Sequence, residues 1–460
     1  MSSMPFPDPP ARLHFIGIKG VGMTALAEIF LRQGYSVSGS DSAETFPTDS
    51  VLKRLNILVA ETFDVAHLTI NTAAVIYSTA YDDSNVERQA ADELAIPQWS
   101  YPEALGLLID GYSRSVAVAG SHGKTTTTAM LASIMETAGL DPTAVVGAPV
   151  RSWGSNARTG LGEWFVFEAD EYQNKLQYYH PRVVIVTNID FDHPDFFKDA
   201  EAYREVFSAF VKRVPEDGVV VLPGDDKKSM LLKEVVKATV VTFGLSNGCD
   251  WQAKSVLIDN GQTTFQVYKK GEFYGNYRLH LPGEHYALDA LSAIVVADEA
   301  GVSVDISARS LEQFHGTARR FELRGTSNDN IIIDDYAHHP AEISAVIKAL
   351  RSGYKDRKLI IVFQGHTYSR TAELLDNFAE ALSKADVVIL PPIYASAREK
   401  EKIIDHHALG QAVEKRQQAK VVCVDSFEDA VVAVGSEAGP AVVVTMGAGD
   451  VWQVAEKLLS

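Results

Sequence analysis

Gly120-Ser121-His122-Gly123-Lys124-Thr125-Thr126 closes the apolar run Ser115-Val116-Ala117-Val118-Ala119, and the rest of the chain is best understood outward from it. A strand that runs into a glycine-rich turn, and then into a helix opened by Lys and Thr, is suited to gripping polyphosphate. Glycines let backbone N–H groups approach phosphate oxygens, and the helix N-terminus adds partial positive charge. The Lys124 ammonium neutralises outer phosphates, and a Thr125 hydroxyl suits the oxygen shell of Mg²⁺. One position departs from the full phosphate-loop pattern, because Val118 stands where its first glycine belongs. Nucleoside triphosphate chemistry is the expectation.

Upstream, the strand Arg12–Ile16 leads into Gly17-Ile18-Lys19-Gly20-Val21-Gly22 and a helical pattern from Met23 to Gln33. A second strand, Ser36–Ser40, ends at Asp41, 19 residues past Gly22. This is the βαβ layout of a Rossmann-like unit, with an acid placed to meet a ribose or base. The glycine spacing is G-x-x-G-x-G rather than G-x-G-x-x-G, which lends NAD little support. Val75–Tyr77 reads as a further parallel strand, and the segment ends near Asp110.

Downstream, the strands Trp164–Phe167 and Val183–Thr187 are each followed at once by polar clusters, Glu168-Ala169-Asp170-Glu171 and Asn188-Ile189-Asp190-Phe191-Asp192-His193. Ligands of a doubly wound sheet sit at the carboxyl ends of its strands, so these clusters face the cleft of the phosphate loop. Thr125, Glu168 and His193 make a plausible Mg²⁺ shell, with the imidazole its weaker member because Mg²⁺ prefers oxygen. Gly218–Leu222 and Ala238–Phe243 are further strand candidates, and Tyr286–Glu299 reads as a helix behind His285. Beyond Arg319-Arg320-Phe321-Glu322, strands at Asn330–Ile333, Lys358–Phe363, Val387–Leu390, Lys420–Val424 and Ala441–Thr445 alternate with helical patterns such as Ala341–Arg351 and Thr371–Lys384. The expected architecture is α/β in three domains: a Rossmann-like domain over 1–111, a central phosphate-loop parallel-sheet domain over 112–321, and a Rossmann-like C-terminal domain over 322–460.

Composition narrows the partners. With 42 basic and 60 acidic side chains the formal charge is −18, which argues against nucleic acid. Cys249 and Cys423 are far apart and outside any CxxC, so neither a disulfide framework nor a zinc site is implied. No apolar run reaches the roughly 18 residues of a membrane span. The Pro-rich start Met-Ser-Ser-Met-Pro-Phe-Pro-Asp-Pro-Pro lacks a signal-peptide apolar region and reads as a disordered lead-in. A cytoplasmic enzyme is expected.

Taken together, Gly-Ile-Lys-Gly-Val-Gly-Met, Gly-Ser-His-Gly-Lys-Thr-Thr, Glu-Ala-Asp-Glu-Tyr, Thr-Asn-Ile-Asp-Phe-Asp-His-Pro-Asp, Arg-Arg-Phe, Asp-Asp-Tyr-Ala-His-His-Pro and Gly-Ala-Gly-Asp resemble the Mur ligases, in order, over about residues 12–460. The resemblance implies an ATP-driven amide bond in peptidoglycan synthesis. A muramyl carboxylate attacks the γ-phosphate to give an acyl phosphate, which an amine then captures. The substrates implied are UDP-N-acetylmuramate and L-alanine, the cofactors ATP and Mg²⁺, and a monomer and a homodimer both stay open. Phe363-Gln364-Gly365-His366-Thr367-Tyr368-Ser369-Arg370 and Gly447-Ala448-Gly449-Asp450 look like the L-alanine branch, and a relative that adds whole peptides fits the same order.

Residue by residue, the resemblance implies that Gly120, Ser121, His122, Gly123, Lys124, Thr125 and Thr126 bind the phosphates with Arg320, that His285 and Asp289 meet adenine, and that Asp335 meets the ribose. Gly17, Gly20, Gly22, Asp41, Ser78 and Thr79 hold the UDP substrate, and Thr125, Glu168 and His193 hold Mg²⁺. Lys124, Glu171, His193, His338 and Arg370 form the catalytic set, with Glu171 and His338 the two candidates for amine base. Members of the family usually carry Asn where Asp289 stands, and many carry Arg where Thr367 stands. The carbamylated lysine of sister ligases aligns best with Phe207. Two readings from other classes remain: an NAD oxidoreductase on the first unit, and a non-catalytic nucleotide-binding regulator.

Overall fold

A computed structural model describes residues 6–193, 196–395 and 401–460. The chain forms two compact units, one of Met1–Asp190, Ala200–Gln252 and Ala290–Ser310, the other of Phe191–Asp199, Ala253–Asp289 and Leu311–Ser460. The quoted motif residues Pro194 and Asp195, like residues 1–5 of the lead-in, lie outside the described residues.

Two parallel sheets build the first unit. One has the order Val59–Ala60, Ser36–Ser40, Arg12–Ile16, Thr72–Tyr77, Gln98–Ser100, all parallel. The chain winds outward both ways from Arg12–Ile16, so the turn after that strand opens at the topological switch point, where such sheets bind ligands. Of the second sheet, this unit holds the strands Ser155–Arg158, Thr143–Val150, Trp164–Glu168, Arg114–Ala119, Val183–Val186, Val219–Pro223 and Thr239–Gly244, in that order, parallel among themselves except for the first pair. Val116, Ala117, Val118, Phe165, Val166, Phe167, Val184 and Ile185 are fully buried, as strands covered by helices on both faces must be. Phe6 departs from the expected disordered lead-in: it is buried, its ring 5.0 Å from Phe30 and 4.8 Å from Trp99. Burying one Phe side chain is worth about 1.5–3 kcal/mol, enough to anchor this short segment.

The second unit carries a six-stranded sheet, in the order Glu322–Ser327, Asn330–Asp335, Ala441–Met446, Lys358–Phe363, Val387–Leu390, Lys420–Cys423, antiparallel only at its first pair. It also carries an antiparallel hairpin, Gln262–Lys269 with Glu272–Leu279, that sequence patterning did not single out.

Several expected boundaries move. Glu168 is the last residue of its strand, and Asp334 and Asp335 close theirs, because pairing with Val118 and with Thr445 and Met446 extends those ladders, whereas the strand Val183–Val186 stops one residue short of Thr187. The helix expected over Thr371–Lys384 is two helices, Tyr368–Glu373 and Leu375–Leu382. Thr367 caps the first by accepting from Arg370 N–H at 3.4 Å, and Leu374, at φ −102° and ψ 20°, breaks the turn between them. Among the described residues no helix is long and apolar enough to cross a membrane.

Candidate active site

In the first unit the phosphate loop joins the strand Arg114–Ala119 to the helix Lys124–Thr137. Gly120 has φ 134°, and a Cβ there would stand 2.1 Å from Thr187 Oγ1, so both conformation and space demand glycine. Gly123, left-handed at φ 79°, caps the helix. The next strand's end braces the loop from outside. Asn188 Oδ1 accepts from His122 N–H at 3.0 Å, Asn188 Nδ2 and Thr187 Oγ1 donate to the His122 carbonyl, and Ser121 N–H donates to the Asn188 carbonyl at 3.1 Å.

Lys124 opens the helix, and its ammonium donates to the Gly120 and Ser121 carbonyls and to Glu171 Oε2 at 2.8 Å. Burial disfavours that charge, but Glu171, Asp170 and Glu168 outweigh it and raise the lysine pKa above its ordinary range. Thr125 and Thr126 follow on the first buried turn. Glu168 lies opposite Val118, and its Oε2 accepts from Gly147 N–H at 2.7 Å; a Cβ on Gly147 would come within 2.3 Å of that oxygen. Asp170 accepts from Lys175 Nζ at 2.5 Å.

A cavity of about 290 Å³ connects this acidic corner to the first sheet. Its wall includes Gly20, Gly22, Ser78 and Thr79 at one end and Glu168 and Asp170 at the other, with Tyr101 and Lys175 between. Gly22 presses on Tyr101, whose ring a Cβ would approach to 2.5 Å, and Gly17, at φ 81°, packs against Tyr81 and Ser78. Burial raises the Tyr101 phenol pKa, with Asp170 and Glu168 adding to it. Asp41 is buried, accepting from Lys19 N–H at 2.7 Å and from the Tyr81 hydroxyl at 2.8 Å, so it braces the glycine turn from behind. Tyr101 and Lys175 are site residues that sequence reasoning passed over. Neither sits in a motif, and only the packing of Tyr101 on Gly22 brings it to the wall.

The second unit gathers two groups. Around Asp335, Phe321 N–H donates to one oxygen at 2.7 Å and Ala337 N–H to the other at 2.8 Å. Burial pushes its pKa up to about 6, against the pull of Arg320 and the two N–H groups. The Arg320 guanidinium lies over the Tyr336 ring at 5.0 Å. Arg319 is spent on the fold, donating to Asp334 at 2.9 Å and to the Gly449 and Gly447 carbonyls at 2.9 and 2.6 Å. His285, whose ring sits 4.1 Å from that of Tyr286, is pushed down to about 4 by burial, and Asp289 is buried one turn further along.

The other group centres on a buried ion pair: Arg370 Nη2 donates to Asp192 Oδ1 at 2.9 Å, both side chains about 7% exposed. Burial opposes ionisation of Asp192, yet Arg370, His193 and His338 hold its carboxyl well below the usual range. Arg370 Nε is buried and has no hydrogen-bond partner among the described residues, an orphaned donor of the kind that awaits an anion. His338, with Nδ1 3.0 Å from the Tyr336 carbonyl oxygen, is pushed down to about 3, chiefly by burial, and is neutral at pH 7. His193 belongs to this group, and Thr125 and Glu168 to the first unit. Asp192, which sequence reasoning quoted in a motif without a role, is placed against Arg370, 178 positions away.

Residues 12–113 match the Mur ligase family catalytic domain, 118–297 the Mur ligase middle domain, and 319–449 the Mur ligase glutamate ligase domain. The UDP-N-acetylmuramate–L-alanine ligase of Caldanaerobacter subterraneus subsp. tengcongensis is 38% identical, with 97% of each chain covered. That of Acetivibrio thermocellus is 40% identical, over 97% of this chain and 95% of its own. Among solved structures, the UDP-N-acetylmuramate-alanine ligase of Thermotoga maritima superposes with a TM-score of 0.84 at 26% identity, covering 97% of this chain and 98% of its own. A murein peptide ligase from Psychrobacter arcticus gives 0.73 at 25%, covering 98% of both. With a braced phosphate loop, an acid-ended cavity and matches along nearly its full length, this chain belongs to the Mur ligase family.

Proposed function

We propose that this protein is an ATP-dependent, ADP-forming ligase that joins L-alanine to the carboxylate of UDP-N-acetylmuramate in peptidoglycan synthesis, working in the cytoplasm. Its three working regions follow the boundaries 1–111, 112–321 and 322–460. The observation that carries this reading is the cavity that runs from Gly20, Gly22, Ser78 and Thr79 to Glu168 and Asp170. One end offers backbone N–H groups for a diphosphate, and the other opens beside the phosphate loop, where a carboxylate would meet a γ-phosphate.

Two anions must react, so charge must be offset before the bond forms. The loop N–H groups from Gly120 to Thr126 and the Lys124 ammonium take the phosphate charge, and Arg320 adds a second cation. Thr125 and Glu168 are hard oxygen donors on neighbouring elements, a donor set that fits Mg²⁺; the ion would supply further charge neutralisation at the phosphates. His193 offers nitrogen and suits that ion less. Asp335, ionised at neutral pH, would accept from ribose hydroxyls, and His285 with Asp289 would border the adenine. Arg370, with its orphaned Nε, would take a carboxylate, and neutral His338 lies in the same group as a candidate acceptor for the amine proton.

The test is a panel of amino acids and peptides offered with UDP-N-acetylmuramate, ATP and Mg²⁺, read by mass spectrometry of the product. L-alanine adduct with stoichiometric phosphate is expected. Preference for a tripeptide in direct competition would move the protein to the peptide-adding branch, and phosphate release indifferent to amino acid would overturn the ligase reading.

A further inference from the structure

Behind the phosphate loop, Tyr203, Glu171 and Lys124 of the first unit form one hydrogen-bonded chain, with Ser121 beside it. Ser121 Oγ lies 2.8 Å from the Tyr203 hydroxyl, Tyr203 donates to Glu171 Oε1 at 2.8 Å, and Lys124 Nζ donates to Glu171 Oε2 at 2.8 Å. A carboxylate only accepts, so the single Tyr203 proton belongs to Glu171. By the same rule the single Ser121 proton goes to the Asp190 carbonyl at 2.6 Å, and its Oγ accepts from Asp190 N–H at 2.8 Å, so Ser121 borders the Tyr203 oxygen without donating to it. Tyr203 is fully buried on the helix Ala200–Val211, its ring 5.2 Å from Phe207, and Glu171 is 1% exposed.

We propose that Tyr203 is a positioning residue for phosphoryl transfer. It fixes Glu171, and Glu171 in turn holds the Lys124 ammonium at the loop and does not serve as the amine base. Glu171 is 1% exposed and each of its oxygens is engaged by a donor of the protein, Lys124 on one and Tyr203 on the other, so the carboxylate is turned to the lysine rather than open to an incoming amine. An ammonium has three donors. Two of them rest on the Gly120 and Ser121 carbonyls, which phosphate oxygens can replace. The third stays on Glu171, so the charge pivots about a fixed point as nucleotide enters. This rests on the ligase function proposed above.

Tyr203→Phe keeps the ring packing and removes only the hydroxyl. The expected result is a kcat lower by about tenfold, with KM for L-alanine and UDP-N-acetylmuramate within about twofold of the unaltered enzyme. Glu171→Gln should cost more, and the double variant no more than Glu171→Gln alone, because Tyr203 acts only through Glu171. Positional isotope exchange in the β,γ-bridge of ATP, with UDP-N-acetylmuramate and no amino acid, reports acyl phosphate formation by itself. Both single variants should slow it.

Exchange at the unaltered rate in Glu171→Gln with ligation lost would make Glu171 the amine base and overturn the proposal. Losses that multiply in the double variant would overturn it too. Should Tyr203→Phe fail to fold, Glu171→Gln alone carries the exchange test. If the unaltered protein makes no product and shows no exchange, the ligase function has failed. The lysine contact is then read by calorimetry as an ATP Kd weakened about fivefold in Tyr203→Phe, and an unchanged Kd rejects it.

Discussion

The first unit contains the same local device twice, and the two copies differ in one respect. Gly17–Gly22 and Gly120–Gly123 each follow a buried parallel strand, each turn through left-handed glycine, and each open a helix. At the second, Lys124 is the first helical residue and its ammonium lies over the loop among carboxylates. At the first, that helical position is Val21, and the nearby Lys19 points away, donating to the Ser42 and Glu44 carbonyls at 3.0 Å each. Backbone dipoles alone hold a phosphate group, but moving one needs a cation placed where charge shifts. On the function proposed above, the pair would separate gripping from transferring on a common scaffold.

The sharpest way to break that division is Lys124→Ala, expected to lower amino-acid-dependent phosphate release by about a thousandfold. Turnover within tenfold of normal would mean that the loop transfers phosphate without its cation. Next comes Gly120→Ala, whose Cβ would collide with Thr187 Oγ1. It should cost roughly 2–4 kcal/mol of stability in urea unfolding and weaken ATP binding with it. Gly22→Ala pushes on Tyr101 in the other turn and should raise KM for UDP-N-acetylmuramate about tenfold while sparing kcat, a split that steady-state kinetics resolves. Smallest is Lys19→Met, which removes the buried ammonium's hydrogen bonds to the Ser42 and Glu44 carbonyls and should remove about 1–3 kcal/mol, seen as a lower Tm. If it instead silenced turnover as Lys124→Ala does, the two lysines would not differ in kind.

Much of this was legible in the chain. Buried parallel strands read as apolar runs, so Arg12–Ile16, Lys358–Phe363 and Val387–Leu390 match their expected spans, while Ser36–Ser40, polar and partly exposed, was placed by the βαβ layout. The hairpin Gln262–Leu279 escaped because its strands are half exposed and weakly apolar. Asn260-Gly261 before it and Lys270-Gly271 within it do carry the paired left-handed residues of tight turns, a signal that was available. The break at Leu374 depends on a cap three-dimensional in origin, as does the work of Tyr203, which no motif marks. Glu171 was legible as an acid near the loop. That its two oxygens are already occupied was not, since occupancy depends on partners 47 residues before it and 32 after.

One earlier detail bears on heat and order. Because Thr187 and Asn188 hold the His122 carbonyl and N–H, the protein's own contacts set the shape of the phosphate loop. The entropy of ordering those backbone atoms, about 1–2 kcal/mol for each residue, is spent once during folding and is not charged again to every nucleotide that arrives.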